Sequence, residues 1–254
     1  MRYTSHMAWR RGTLQTAAVT GLLLVVAAGL PPTRGEAQAP AASSPIPDLT
    51  EIWKRRGPIE GRPRNGNPVG NARAIGFSKA FDEVLLPGYD CSPVSIPVLL
   101  NDNYNFEIIQ QPDRVILRYE KEDIVRTVWL EGHGHPNPGV YDFTIQGHST
   151  GRYEGNQLAI ETTKFVFDPR GMHDDYIPSS TQKKVTERYW REGDRLRMES
   201  VTEDPLVLRE PYRYHFEWER TGTPLTPYDC DPEASGFARQ FQPSKYQDET
   251  GDRK

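Results

Sequence analysis

The chain has 254 residues, 36% of them hydrophobic and 26% charged, with 22 prolines and 21 glycines. That suits one globular domain with polar or disordered additions. The formal charge of −4 drops to −7 once residues 1–37 are set aside, because that segment carries Arg2, Arg10, Arg11 and Arg34 against Glu36 alone. An acidic surface repels phosphates and anionic lipid heads, which argues against nucleic-acid binding and peripheral membrane binding.

Residues 7–30, MAWRRGTLQTAAVTGLLLVVAAGL, join a basic start to an apolar core, and RGEAQA follows with small residues spaced for cleavage. This predicts a secretory signal peptide over 1–37, cut after Ala37. The apolar run is too short for a confident membrane anchor, and no later segment suits a bilayer span. Arg10–Arg11 is a poor twin-arginine signal. A periplasmic or secreted location follows, and it sets both cysteines in an oxidising compartment. Cys91 in GYDCSP and Cys230 in PYDCDP flank the strand-rich region, so a Cys91–Cys230 disulfide is expected.

Residues 38–75 read as a polar Pro/Gly-rich arm. Within it PDLTEIW stands out, with Leu49, Ile52 and Trp53 expected to dock on the core. Phe77, Phe81, Val84 and Leu85 recur at helical spacing and predict a short amphipathic helix over 76–86. From residue 104 the pattern turns to strands. NFEIIQ, RVILRYE, DIVRTVWLE, YDFTIQGHSTGRYE, QLAIETTKF, QKKVTERYWRE, RLRMESVTE and YRYHFEWER follow one another, many parted by short turns. The pattern predicts an all-β domain over 76–235, an antiparallel meander of about eight to ten strands closing into a barrel. A curved open sheet is the alternative. Residues 236–254 read as a polar tail.

Strand alternation assigns faces. Tyr212, Tyr214, Phe216 and Trp218 share one, with Arg213, His215, Glu217 and Glu219 on the other. Three charged residues are the exceptions. Glu187 shares a face with Val185 and Tyr189, Arg126 with Ile124, Val128 and Leu130, and Glu107 with Ile109. Charges on a buried face cost several kcal/mol each unless paired. Either Glu187 or Glu107 is placed to serve Arg126, as a structural pair or as a polar spot orienting a ligand.

His133, His135, His148 and His173 lie outside the clear strands, with Asp142, Asp174 and Asp175 near them in sequence. Their spacing matches no standard metal motif, so no metal site or cofactor is assigned. Residues 147–151, GHSTG, spell a nucleophile elbow around Ser149, but a turn and a strand follow where a helix is required.

The ordered blocks FEIIQQPDRVILRYE, VRTVWLEGHGHP, GHSTGRYEGNQLAIETTKF, VTERY and TEDP resemble those of an uncharacterised family of secreted bacterial proteins with a lipocalin-like β-barrel. The resemblance covers roughly residues 88–235 and implies that DLTEIW precedes or opens the barrel. Its members often have Gly at the position of Glu51, His at that of Lys184, and Arg-Pro-His at those of His133-Gly134-His135. His135 is therefore the matching histidine.

Besides an envelope interaction protein without a pocket, which would use the arm at 38–75 as its contact, two functions remain open. One is a barrel that binds a hydrophobic or aromatic small molecule, with Glu107, Tyr119, Trp129 and Tyr189 as lining residues. Such a barrel needs an unfilled interior. The other is a lyase, isomerase or hydrolase using His135, His148, Glu187 and Arg126 for acid–base chemistry, which requires those groups to converge.

Overall fold

A computed structural model describes residues 46–57, 66–101, 103–133, 139, 142–173, 177–242, 244 and 246. The expected signal peptide, His135, Asp174 and Asp175 lie outside the described residues. Nine strands close into a barrel: β1 (Glu51–Arg55), β2 (Phe106–Gln110), β3 (Arg114–Tyr119), β4 (Val125–Leu130), β5 (His148–Glu154), β6 (Gln157–Thr163), β9 (Lys184–Glu192), β10 (Arg195–Glu203) and β11 (Tyr212–Arg220). Their order is β1-β11-β10-β9-β6-β5-β4-β3-β2. β7 (Asp168–His173) and β8 (Ile177–Ser179) form a separate two-stranded sheet. The predicted all-β barrel is thus present.

It is not a pure antiparallel meander. β4 and β5 run parallel, with Val128 opposite Ser149 and Leu130 opposite Gly151. A parallel pair needs a long return connection, and residues 131–147 supply it. The other correction concerns the arm. Residues Glu51–Arg55 are a barrel strand that closes the sheet between β2 and β11. Leu49 and Trp53 are fully buried, and the Trp53 indole donates to the Leu49 carbonyl at 3.1 Å. Trp53→Ala is expected to cost about 3–5 kcal/mol through the cavity it leaves, read as a lower urea midpoint at unchanged slope.

The leading helix α1 spans Ala72–Ala80 rather than 76–86. The Asn71 side chain caps it by accepting from the Arg73 and Ala74 amides. Asp82 then starts a separate 3-10 turn at Glu83–Leu85, so the apolar spacing read as one helix spans two elements. A second helix, α2 (Pro232–Arg239), crosses the expected start of the tail. Asp231 caps it by accepting from the Glu233 and Ala234 amides.

The two barrel ends are closed differently. At one, residues 94–100 lie buried across the opening. They are held by Arg55 on the Leu100 carbonyl, Gln146 on the Val94 carbonyl and Glu122 on the Val94 amide. We call this the cap end. At the other, the hairpin end, Gln110 pins the chain before β1. Its amide oxygen accepts from Leu49 N at 2.6 Å, and its amide nitrogen donates to the Pro47 carbonyl at 2.9 Å. The Cys91–Cys230 disulfide is present, with 5.9 Å between Cα atoms. Among the described residues no helix is long and apolar enough to cross a membrane.

Candidate functional site

Aromatic side chains fill the barrel interior. Phe106 stacks on Tyr119 with centroids 5.4 Å apart and meets Trp218 edge-on at 5.1 Å. Phe216 and Tyr189 pack beside Trp218. All five rings are at most 5% exposed. Alternation therefore reads correctly along β11, where Tyr212, Tyr214, Phe216 and Trp218 all point inward and are buried.

Set into this apolar interior is one polar cluster. Arg126 meets Glu187 through two parallel hydrogen bonds, Nη1 to Oε1 at 3.2 Å and Nη2 to Oε2 at 2.5 Å. Exposure is 2% for Arg126 and 0% for Glu187. The Tyr189 hydroxyl donates to Glu187 Oε1 at 2.8 Å, and Arg126 Nη1 donates to the Tyr119 hydroxyl at 3.2 Å. Arg126 Nη2 also reaches Thr162 Oγ1 at 3.2 Å, which in turn shares a 2.8 Å hydrogen bond with Ser149. The network satisfies the carboxylate with three donors, as a buried charge requires. Its side chains come from β3, β4, β5, β6 and β9, so it ties more than half the barrel together. Burial pushes both tyrosine hydroxyls up, and the neighbouring carboxylate pushes in the same direction. The guanidinium is held well above its ordinary value, because Glu187 and the tyrosines outweigh the burial that opposes its charge.

Of the residues singled out from sequence, Arg126, Glu187, Tyr119 and Tyr189 thus meet inside. Glu107 does not join them. It faces outward and pairs with Arg118 at 2.8 Å. Trp129 is also outside, under the Arg114 guanidinium at 4.4 Å. Ser149 points inward, so alternation sets its neighbour His148 on the opposite face, away from Glu187. Among the described residues no group of three or more His, Cys, Asp or Glu gathers as metal ligands would.

The glycines of GHSTG have packing reasons. Gly147 has φ +69, and an added Cβ would sit 2.5 Å from the Thr163 carbonyl oxygen. At Gly151 it would sit 2.7 Å from Val128 Cγ1, across the parallel β4–β5 pair. Gly147→Ala is therefore expected to destabilise by more than 1 kcal/mol (order of magnitude ~1–3) through both backbone strain and contact, measured as a shift in thermal midpoint.

A groove of about 660 Å³ opens at the hairpin end, lined by Ile46, Gln110, Gln111, Pro112, Leu130, Glu131, His133, Arg152 and Tyr153. Ile46, Pro112 and Leu130 supply apolar surface. Arg152 is neutralised by Glu131 and Glu154. The Tyr153 hydroxyl accepts from Gln110 Nε2 at 2.7 Å, which leaves its own proton pointing elsewhere. Burial pushes that hydroxyl up, so it remains a donor near neutral pH.

No family model matches the chain, and no curated protein matches it. What the structure shows is the closed nine-stranded barrel itself. Sequence reasoning missed the groove as a site. It singled out only His133, because Gln110, Leu130 and Tyr153 come from separate strands and meet only when the barrel closes. It also gave no role to Glu217, assigned only to the outer face of β11. That carboxylate is 4% exposed on the outer face, beneath Arg56, Arg195 and Arg197.

Proposed function

We propose that this is an exported barrel protein that binds a small amphipathic molecule, aromatic or otherwise apolar on one side, in the groove at the hairpin end. The observation that carries this reading is the lining itself. An apolar floor lies beside a tyrosine hydroxyl with a proton to offer, an imidazole and uncharged amides, while the groove's arginine is already neutralised. Binding sites combine apolar surface with a few placed polar groups in this way. The filled aromatic interior argues for the rim rather than the barrel lumen. The disulfide supports export, since such bonds persist in oxidising compartments.

The acid–base alternative gains less support. The Glu187 carboxylate oxygens already accept from Arg126 and Tyr189, and His148 faces the other way.

The test is tryptophan fluorescence titration with a panel of phenolics, sterols and fatty acids. A phenolic is expected to quench saturably. Tyr153→Phe should weaken it about 3–10-fold, the worth of one hydrogen bond, and His133→Ala should weaken it as well. If no compound saturates, or if both variants bind like the parent chain, the groove is not the site.

A further inference from the structure

Lys183 precedes β9 at the cap end and is 1% exposed. Its Nζ donates to Ser95 Oγ at 2.7 Å and to the Ile96 carbonyl at 3.0 Å. Ser95, itself fully buried, donates onward to Asp168 Oδ2 at 2.7 Å. One amine thus joins three separate elements, which are the 94–100 segment, the β7–β8 sheet and the barrel strand β9. The two oxygens match the two N–H groups of a neutral amine. A protonated amine has a third N–H, for which these two oxygens leave no acceptor; the Phe165 ring, 4.1 Å from Nζ, offers the charge a cation–π contact but no lone pair.

We propose that the Lys183–Ser95–Asp168 chain is a proton-sensitive latch that fastens residues 94–100 over the barrel end and loosens when Lys183 takes up a proton. This stands independently of the groove reading.

The electrostatics agree in direction. Burial pulls the Lys183 amine down to about 7, Asp168 and Asp204 pull it upward, and Arg126 of β4 pushes it further down. These are the charged groups that face it. Asp204 is engaged by the Ser180 amide at 2.6 Å and the Ser180 hydroxyl at 2.7 Å, and Asp168 by the Arg170 amide at 2.9 Å. An amine whose folded value lies below its unfolded one is neutral in the fold and charged in the unfolded chain between the two. Stability then rises with pH from about 7 towards the unfolded value, and that gain is lost on acidification to about 7. Within the window the ratio of folded to unfolded changes by up to about tenfold per pH unit.

Hydrogen exchange of the full oxidised chain at about pH 6.5 and pH 8.5, corrected for intrinsic rates, tests the latch, both values lying near the amine's midpoint. Peptides covering 94–100 are expected to lose protection at the lower pH, while those of β9 and β10 hold theirs. Lys183→Met should abolish the difference. An equal pH response in Lys183→Met, no response in the parent chain, or greater protection at the lower pH would each overturn the proposal. Should Lys183→Met fail to fold, the Lys183 Cε resonance of the labelled parent chain decides. A midpoint near the ordinary lysine value overturns the latch, and one near 7 supports it.

Discussion

Arg126→Met is expected to lose about 3–5 kcal/mol of stability, because it leaves the Glu187 carboxylate buried without its cation. Glu187 is 0% exposed, and its remaining partner is the Tyr189 hydroxyl, which cannot neutralise a charge. The double variant Arg126→Met/Glu187→Met removes both charges and fills the space with apolar atoms. It is expected to lie closer to the parent chain than either single variant does, since well-packed apolar replacements of buried pairs are often neutral. Urea unfolding of the four chains gives the coupling directly. A double variant as unstable as the sum of the singles would show that the pair is not an isolated unit. Tyr119, Thr162 and Ser149 would then be its energetic partners.

Breaking the disulfide is the other large effect. Cys91 and Cys230 are 139 residues apart in sequence. In the loop-entropy description a link of that length is worth roughly 5 kcal/mol at most, with about 2–4 kcal/mol typical of measured cases. What it fastens is the run after β11. Among the described residues that run forms no strand, and besides the Arg239–Asp90 ion pair it is held by the Thr226 amide on Glu120 and the Tyr228 amide on Asp123. Such exposed hydrogen bonds contribute about 1 kcal/mol each. A Cys91→Ser/Cys230→Ser chain, or the reduced parent, should therefore melt several degrees lower. Residues 221–240 should become the first site of limited proteolysis. Identical melting with and without reductant would place the stability elsewhere, in the barrel alone.

The sequence carried much of the barrel but little of the site. β11 alternates in residue type, its inward face aromatic and its outer face mostly charged. β10 alternates in burial, although Ser200 and Thr202 share its inward face with Leu196 and Met198. A period of two is a local signal. The charged exceptions at Arg126 and Glu187 were legible for the same reason, since a charge among inward residues breaks the pattern. Which acid served Arg126 was not legible. Glu107 and Glu187 both stood in the sequence as candidates, and only the barrel's closure sets Glu187 opposite Arg126 while Arg118 engages Glu107 outside. β1 was obscured by the prolines and glycines around it. It has five residues and is a strand only because β2 and β11 offer open edges on either side.

By itself, then, the sequence determined the all-β class, the inward faces, the presence of buried charge and the pairing of its two cysteines, because periodicity, composition and cysteine number are written along the chain. The tertiary structure alone decided the parallel β4–β5 pairing, the groove in which His133 meets Tyr153 and Gln110, and the latch of Lys183, Ser95 and Asp168. Those depend on contacts between residues tens of positions apart. Ordinary letters such as Ser95 and Lys183 acquire their chemistry only when folding takes them out of water together.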